Sequence, residues 1–450
     1  MTIRIPTVRH CLAGLALCAA LCLAYLPDLG HGFVKDDFMW IRSARIQSAG
    51  DAVGLFTQNV GFYRPIVSAT FALDYALWGM EPLAYGVTNL ALLGTGAWLL
   101  YLVARQLNVP PAAGALACAL WVFNFHGINM AVLWISGRTA LLLTCTALAA
   151  TLFVLRGRMM LGGLLCLLAM LSKEEAVVLP FLLGAWVYLT PSGTRRTAVR
   201  ILSTWPLFAA LAVYTLLRLQ SGAFWPATAP SYYQLTVQPQ VVFRNVLEYL
   251  DRGATWPAVV TAIVMAAART LPVFTSEERR ITALGALWFA CGYAITVFVP
   301  VRSSLYAVFP SIGACLAAAV VVAALMPSRP GRVRTALAVL SLVPLLLFPV
   351  FRARNESLVA PAALSTTVLG DLRRATATLP GGARIVLIDD PISRFNLDTA
   401  FGALFPDAVA LILGERFRGE ILSGAGDVAN ANLEGALVLA LRNGRLEPYR

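Results

Sequence analysis

The chain has 450 residues, 59% of them hydrophobic and only 13% charged, with a mean hydropathy of +0.73. That composition excludes a soluble globular enzyme and marks a polytopic α-helical membrane protein. The net charge of +12 does not point to nucleic acid, because the arginines gather in short connections between apolar runs, as the positive-inside rule expects. The cysteines, at 11, 18, 22, 118, 145, 166, 291 and 315, all lie within apolar runs. They have no metal-ligand spacing and imply no disulfide framework.

In chain order, Arg4 and Arg9 precede the apolar run Cys11 to Leu26. We read it as a retained first span with a cytoplasmic N-terminus rather than a cleaved signal peptide. Residues 27–84 then form a large exoplasmic loop. Within it Phe62 to Met80 carries Arg64 and Asp74, each costly in lipid, and is expected as an interfacial helix. Further spans are expected at Tyr85 to Ala104, Pro111 to Phe125, Thr139 to Leu155, Met159 to Leu171 and Ala176 to Leu189. The series continues with Ile201 to Leu217, Pro257 to Leu271, Ile281 to Val299, Leu305 to Leu325 and Thr335 to Val350. Together they make about 11 transmembrane helices. This parity puts Arg105, Arg156, Arg158, Arg195, Arg196, Arg200, Arg279, Arg280, Arg329, Arg332 and Arg334 on the cytoplasmic side. Counting Phe62 to Met80 as a span would reverse them. The expected location is a bacterial inner membrane.

Beyond the transmembrane domain, residues 1–351, the composition becomes mixed. Residues 352–450 are expected to form a small α/β domain on the exoplasmic, periplasmic side. Asp371 to Thr378 is helix-like, and Ala383 to Ile388 reads as a buried strand ending in Asp389-Asp390-Pro391. Ala436 to Leu441 and Arg445 to Tyr449 flank Asn443-Gly444, a pair suited to a type I′ hairpin turn.

Charged residues at expected span ends carry the chemistry. Asp36 and Asp37 sit in Phe-Val-Lys-Asp-Asp-Phe-Met-Trp-Ile, Phe33 to Ile41, where apolar surroundings can raise a carboxylate pKa and make it a general base. On the same side stand Tyr63-Arg64-Pro65, His126, Trp134-Ile135-Ser136-Gly137-Arg138, Leu171-Ser172-Lys173-Glu174-Glu175 and Arg302. Arginine and lysine gathered there complement a phosphate.

The ordered set of Asp-Asp, Tyr-Arg-Pro, Ser-Gly-Arg and Ser-Lys-Glu, with Tyr85 to Leu90 and Arg302 to Gly313, resembles the GT-C superfamily of membrane glycosyltransferases. Its closest likeness is to the bacterial, TMTC-like branch related to protein O-mannosyltransferases. The resemblance covers about residues 10–350. It departs from the family pattern at Gly86, Leu93 and His126-Gly127-Ile128-Asn129, where histidines are expected. The resemblance implies a GT-C-like fold, a polyprenyl-phosphate-linked sugar donor and transfer on the exoplasmic face. It makes Asp36 and Asp37 catalytic by match.

The resulting expectation is an inverting glycosyltransferase acting on a protein, lipid or glycan hydroxyl. An Asp serves as base, and Arg64, His126, Arg138, Lys173, Glu174 and Arg302 serve donor phosphate or substrate binding. The metal-dependent variant places Mg²⁺ or Mn²⁺ between Asp36 and Asp37. Nucleic acid is not a partner. The rival readings are a transporter or lipid flippase, which would carry ionisable groups near mid-span, and a non-catalytic GT-C-like scaffold.

Overall fold

The computed structural model describes residues 19–57, 61–190, 197–223, 225, 228–377, 379, 382–390, 392–423 and 425–449. Arg4, Arg9, the first part of the Cys11 to Leu26 run, Arg195, Arg196 and Pro391 lie outside them.

The chain leaves its first apolar helix α1 (Ala19–Asp28) and enters three helices of the first loop, α2 (Asp36–Ser43), α3 (Ala49–Thr57) and α4 (Pro65–Trp78). α4 coincides with the expected interfacial helix. The helical body follows with α5 (Pro82–Gln106), α6 (Pro111–Val122), the short α7 (Ile128–Leu133), α8 (Arg138–Leu155) and α9 (Met159–Ser172). It continues through α10 (Leu179–Leu189), α11 (Thr197–Leu202), α12 (Trp205–Ser221), α13 (Pro239–Leu250), α14 (Trp256–Ala268), α15 (Ser276–Gly292) and α16 (Ser311–Leu325). Among the described residues four helical stretches are long and apolar enough to cross a membrane: Pro82–Gln106, Ile135–Leu155, Val199–Ser221 and Ser276–Phe298. Shorter apolar helices stand beside them. The body is that of a multi-pass membrane protein. Its core is continuous from Tyr25 and Tyr63 through Trp121, Leu141 and Trp186 to Trp288 and Phe309, all essentially inaccessible.

Two of the connections that the sequence groups on one side meet. Asn108 Nδ2, after α5, donates to Glu277 Oε1 at the start of α15 at 3.2 Å. The loop holding Asp36 lies at the other end of the body, where α1 hands the chain to α2.

One expected span is corrected. Thr335 to Val350 is not one helix but α17 (Pro330–Leu340), the single turn α18 (Val343–Leu346) and the start of α19 (Phe348–Ala375). Pro344 and Pro349 have no N–H to give to a preceding turn, so each stands at the start of a new helix, α18 and α19, rather than continuing the one before it. The 28-residue α19 runs unbroken through the 351/352 boundary and contains the expected Asp371 helix as its last turn. Near its start Asn355 is fully buried and donates to Asp28 at 2.9 Å, while Asn129 donates to it at 2.5 Å.

The C-terminal unit is a four-stranded sheet of order β2-β1-β3-β4, with β1 (Arg384–Ile388), β2 (Arg418–Leu422), β3 (Leu437–Arg442) and β4 (Arg445–Pro448). β2 and β3 flank β1 in parallel, and β3 pairs with β4 antiparallel across Asn443-Gly444. Asn443 (φ 48°) and Gly444 (φ 75°) both adopt the positive φ that a type I′ turn demands. The β1-to-β2 crossover contains α20 (Leu397–Ala400) and α21 (Phe405–Leu413), and α22 (Ala425–Asn430) precedes β3.

This unit is not tethered loosely. Phe33, Phe38, Trp40 and Ile41 of the first loop share one apolar cluster with Val368, Leu372, Ile385, Phe401 and Phe405. Gly32 (φ 118°) makes the approach possible, since a Cβ there would lie 2.2 Å from Thr366 Oγ1 and 2.8 Å from the Ala362 carbonyl.

Candidate functional site

The site begins with a turn. Asp37 N–H donates back to the Val34 carbonyl at 3.1 Å, and Lys35 between them has φ 49° and ψ −120°. These are the dihedrals of the first central residue of a type II′ turn, a position that glycine dominates. For a lysine the strain is about 1–3 kcal/mol. The turn starts α2 with Asp36 and Asp37 in its first turn, where the helix N-terminus favours negative charge.

The two neighbours then diverge. Asp37 is fully buried, and its oxygens accept from Val34 N–H (2.9 Å), Ser136 N–H (2.7 Å) and the Ser136 hydroxyl (2.5 Å). Burial pushes its carboxyl up to about 7, against the Ser136 and Val34 hydrogen bonds, which favour the charge. Asp36 is half-buried, and among the described residues no other residue hydrogen-bonds to its carboxylate or pairs with it. Burial raises its pKa above the ordinary 3.8, and the charges of Arg64 and Lys35 oppose the rise. An open carboxylate with a raised pKa is suited to take a proton.

The divalent ion expected between the pair does not fit this geometry. Both Asp37 oxygens already face N–H and O–H donors, which leaves one carboxylate for a cation that needs several oxygens. No three His, Cys, Asp or Glu side chains are grouped to hold a metal among the described residues.

Arg64 acts on Asp36 and brings Glu174 with it, and Lys173 stands next to Glu174. Arg64 Nε and Nη2 donate to Glu174 Oε2 and Oε1 at 2.9 and 2.5 Å, a bidentate pair joining residues 110 positions apart. Burial alone would raise the Glu174 carboxyl, but Arg64 overrides it and holds the group down to about 2. The Arg64 guanidinium also lies 4.2 Å from the centre of the Phe62 ring. Lys173 Nζ sits 2.7 Å from Glu175 Oε1, both side chains buried, yet out of hydrogen-bond alignment, and 4.9 Å from the centre of the Tyr306 ring. Tyr233 closes the group, with its ring 5.3 Å from that of Phe62.

The remaining expected residues lie elsewhere. Arg138 is a correction, because it is 0% exposed, with Nη2 2.7 Å from Asp74 Oδ2. Its Nε donates to Asn89 Oδ1 at 3.2 Å, and its guanidinium lies 4.2 Å over Phe71. A group so enclosed cannot meet a lipid phosphate; it anchors the Ser136-Gly137 turn that serves Asp37. Asn89 completes that anchor, with Nδ2 between 3.1 and 3.3 Å from the carbonyls of Ala131, Val132, Trp134 and Ile135. Arg302 lies one layer out. It pairs with Glu248 at 2.7 Å, and Glu248 also takes Arg252. Tyr249, beside Glu248, stands edge-on to Tyr306 at 6.3 Å and links the two groups. His126 packs on Phe125 at 4.6 Å, and Arg354 covers the same ring at 4.9 Å. Burial, then the Arg354 charge, lowers its imidazole pKa. It belongs to the group around Arg252, not to the Asp36 group.

Sequence reasoning missed Tyr233, Glu175 and Glu248 as site members and left Tyr306 without a role. The signal for Glu248 was present: Pro239 opens a helix whose Phe243, Val246, Leu247 and Leu250 fall at helical spacing. These four are exposed, while Asn245 and Tyr249 face inward.

No protein-family profile matches the sequence. A stretch of 212 residues is 34% identical to the protein O-mannosyl-transferase Tmtc1 of Drosophila melanogaster, covering 41% of this chain and 24% of that protein. The chain thus spans about a quarter of the length of the curated relative it matches. The fold is similar to that of ArnT from Cupriavidus metallidurans, solved bound to undecaprenyl phosphate. The TM-score is 0.54 at 12% identity, over 94% of this chain and 88% of that one. It is also similar to the arabinofuranosyltransferase AftD from mycobacteria, with TM-score 0.52 and 14% identity over 93% of this chain and 32% of that one. At these identities the structural likeness concerns the fold, and the fold is the one the sequence resemblance implied.

Proposed function

Taking as premise a membrane glycosyltransferase with the GT-C fold, we propose that the chain transfers a sugar from a polyprenyl-phosphate donor to an acceptor hydroxyl. The reaction takes place on the exoplasmic side. The observation that carries the reading is the contrast within the Asp pair. Asp36 is open beside Arg64, whereas Asp37 is spent on holding its own turn. The Tmtc1 and ArnT likenesses support the donor class.

In this mechanism the acceptor hydroxyl attacks the anomeric carbon from the face opposite the phosphate. The new carbon–oxygen bond forms as the bond to phosphate oxygen breaks. The electron pair leaves with the polyprenyl phosphate, the proton passes to Asp36, and the configuration inverts. Arg64 turns from Glu174 to the phosphate, since its planar fork suits either oxyanion. Lys173, enclosed with Glu175, stays in the wall of the site and leaves the phosphate to Arg64. Stabilising the leaving group in this way is electrostatic catalysis by preorganised charge. Polarity follows from the connections: the N-terminus is cytoplasmic, and the α/β unit is on the side of Asp36.

The test is transfer by the purified full chain in lipid nanodiscs, with a polyprenyl-phosphate-linked sugar and a panel of peptide, lipid and glycan acceptors. Release of polyprenyl phosphate matched by a product of inverted configuration is expected. A retained configuration, or movement of the lipid across the bilayer without transfer, would contradict the proposal.

A further inference from the structure

The α/β unit touches the turn that carries the proposed base. Lys35 N–H donates to the carbonyl of Ala400, the last residue of α20, at 3.0 Å. Three residues along α2, the Phe38 ring stacks on Phe401 at 5.7 Å and 28°. At the far end of α2, Arg42 donates to Asp407 at 2.8 Å and bidentately to Glu415 at 3.1 and 2.5 Å. α20 is itself fixed from the central strand, because Asp389, just past β1, accepts from Leu397 N–H at 2.7 Å and Asp398 N–H at 3.1 Å. A continuous run of contacts therefore leads from the sheet to a backbone conformation that lysine does not adopt unaided.

We propose that the C-terminal α/β unit takes part in the reaction as a positioning element. Its α20–α21 corner holds the Lys35 turn at φ 49° and so aims the Asp36 carboxylate at the acceptor. The proposal rests on the reading of Asp36 as the base. Residues held in sparsely populated backbone regions persist where their surroundings over-determine them, and they concentrate at functional sites. Here the surroundings come from a segment that follows Lys35 by more than three hundred positions in the chain. Phe401 and Ala400 act through Lys35 and touch no reacting atom. The arrangement also makes Lys35 replaceable in one sense only: glycine takes a positive φ at no steric cost, so a glycine turn would no longer need the clasp.

The experiment uses the full chain in nanodiscs, with Phe401→Ala and Arg42→Ala each made with and without Lys35→Gly. It reads kcat, donor KM and amide hydrogen exchange across residues 33–41. Phe401→Ala is expected to speed exchange of the Lys35 amide and to lower kcat about 10-fold or more, with donor KM within about 2-fold, as slight misplacement of a catalytic group does. Lys35→Gly in the same background should restore most of kcat. Should Phe401→Ala fail to accumulate, Arg42→Ala, whose pairs are half-exposed, carries the test with a smaller effect of the same pattern. Unchanged kcat despite faster exchange, or a loss that glycine does not restore, overturns the proposal. A wild-type chain with no transfer at all would instead remove the Asp36 reading. Exchange at Lys35 would then still decide whether the α/β unit holds the turn, and unchanged exchange would dismiss the clasp by itself.

Discussion

Two arginine–carboxylate pairs stand at the Asp36 end of the body, and they differ in what surrounds them. Arg138 and Asp74 have side chains 0% and 6% exposed, with Asn89, Phe71 and the Tyr85 carbonyl enclosing the guanidinium. Arg64 and Glu174 are 11% and 32% exposed and adjoin the open Asp36. An enclosed pair offers no exchange of partner, because parting the ions leaves a bare charge in a low-dielectric interior. A partly exposed pair can trade one oxyanion for another. Residue type and position at a helix start are alike in the two cases, so enclosure is what separates a structural arginine from one that can serve a ligand.

The comparison is most sharply broken by Arg138→Ala. Leaving Asp74 buried and uncompensated should cost about 3–5 kcal/mol, so little protein should reach the membrane and what does should melt early. A well-folded but inactive Arg138→Ala protein would return Arg138 to the ligand-binding group.

Arg64→Ala should do the reverse. Glu174 has a path to water, so the fold should stand, while loss of a charge-assisted contact to phosphate weakens donor use by about 1.5–3 kcal/mol, roughly 10- to 150-fold. Steady-state kinetics alongside thermal melting separate the two outcomes.

Asp37→Asn sharpens the contrast within the acidic pair. Its Oδ1 can still accept from Ser136, but an amide NH₂ placed where Oδ2 stands confronts the Val34 N–H, donor against donor. A penalty of about 1–3 kcal/mol follows, visible in melting temperature before it is visible in chemistry.

The smallest effect is on the pH profile. Asp36 must be deprotonated to accept a proton, and its pKa is raised, so transfer should fall as pH drops through a value above 3.8. The limb belongs to Asp36, and transfer measured against pH in the Arg64→Ala protein should show it displaced upward, because Arg64 is one of the charges opposing the rise.

Much of this arrangement was legible in the sequence. The acidic pair in an apolar setting, the helix α4, the central strand β1 and the Asn443-Gly444 hairpin all follow from local chemistry. Partner choice was not legible, because Arg64 finds Glu174 and Asp37 finds Ser136 only through the packing of distant helices. An arginine at a span end reads the same whether or not it is enclosed, and Arg138 was misread for that reason. β2, Arg-Gly-Glu-Ile-Leu, alternates weakly because it is an edge strand of intermediate burial, with only its register to Arg384–Ile388 marking it. Hydropathy over Thr335 to Val350 is blind to Pro344 and Pro349, which divide that run.

Asp36→Asn probes the proposed base with the fewest side effects, because the change removes proton affinity with little change of shape. In nanodiscs supplied with a polyprenyl-phosphate sugar, transfer should fall about 10²- to 10⁴-fold with donor binding and melting temperature retained. Transfer at the wild-type rate in the Asp36→Asn protein would contradict a role for Asp36 as base.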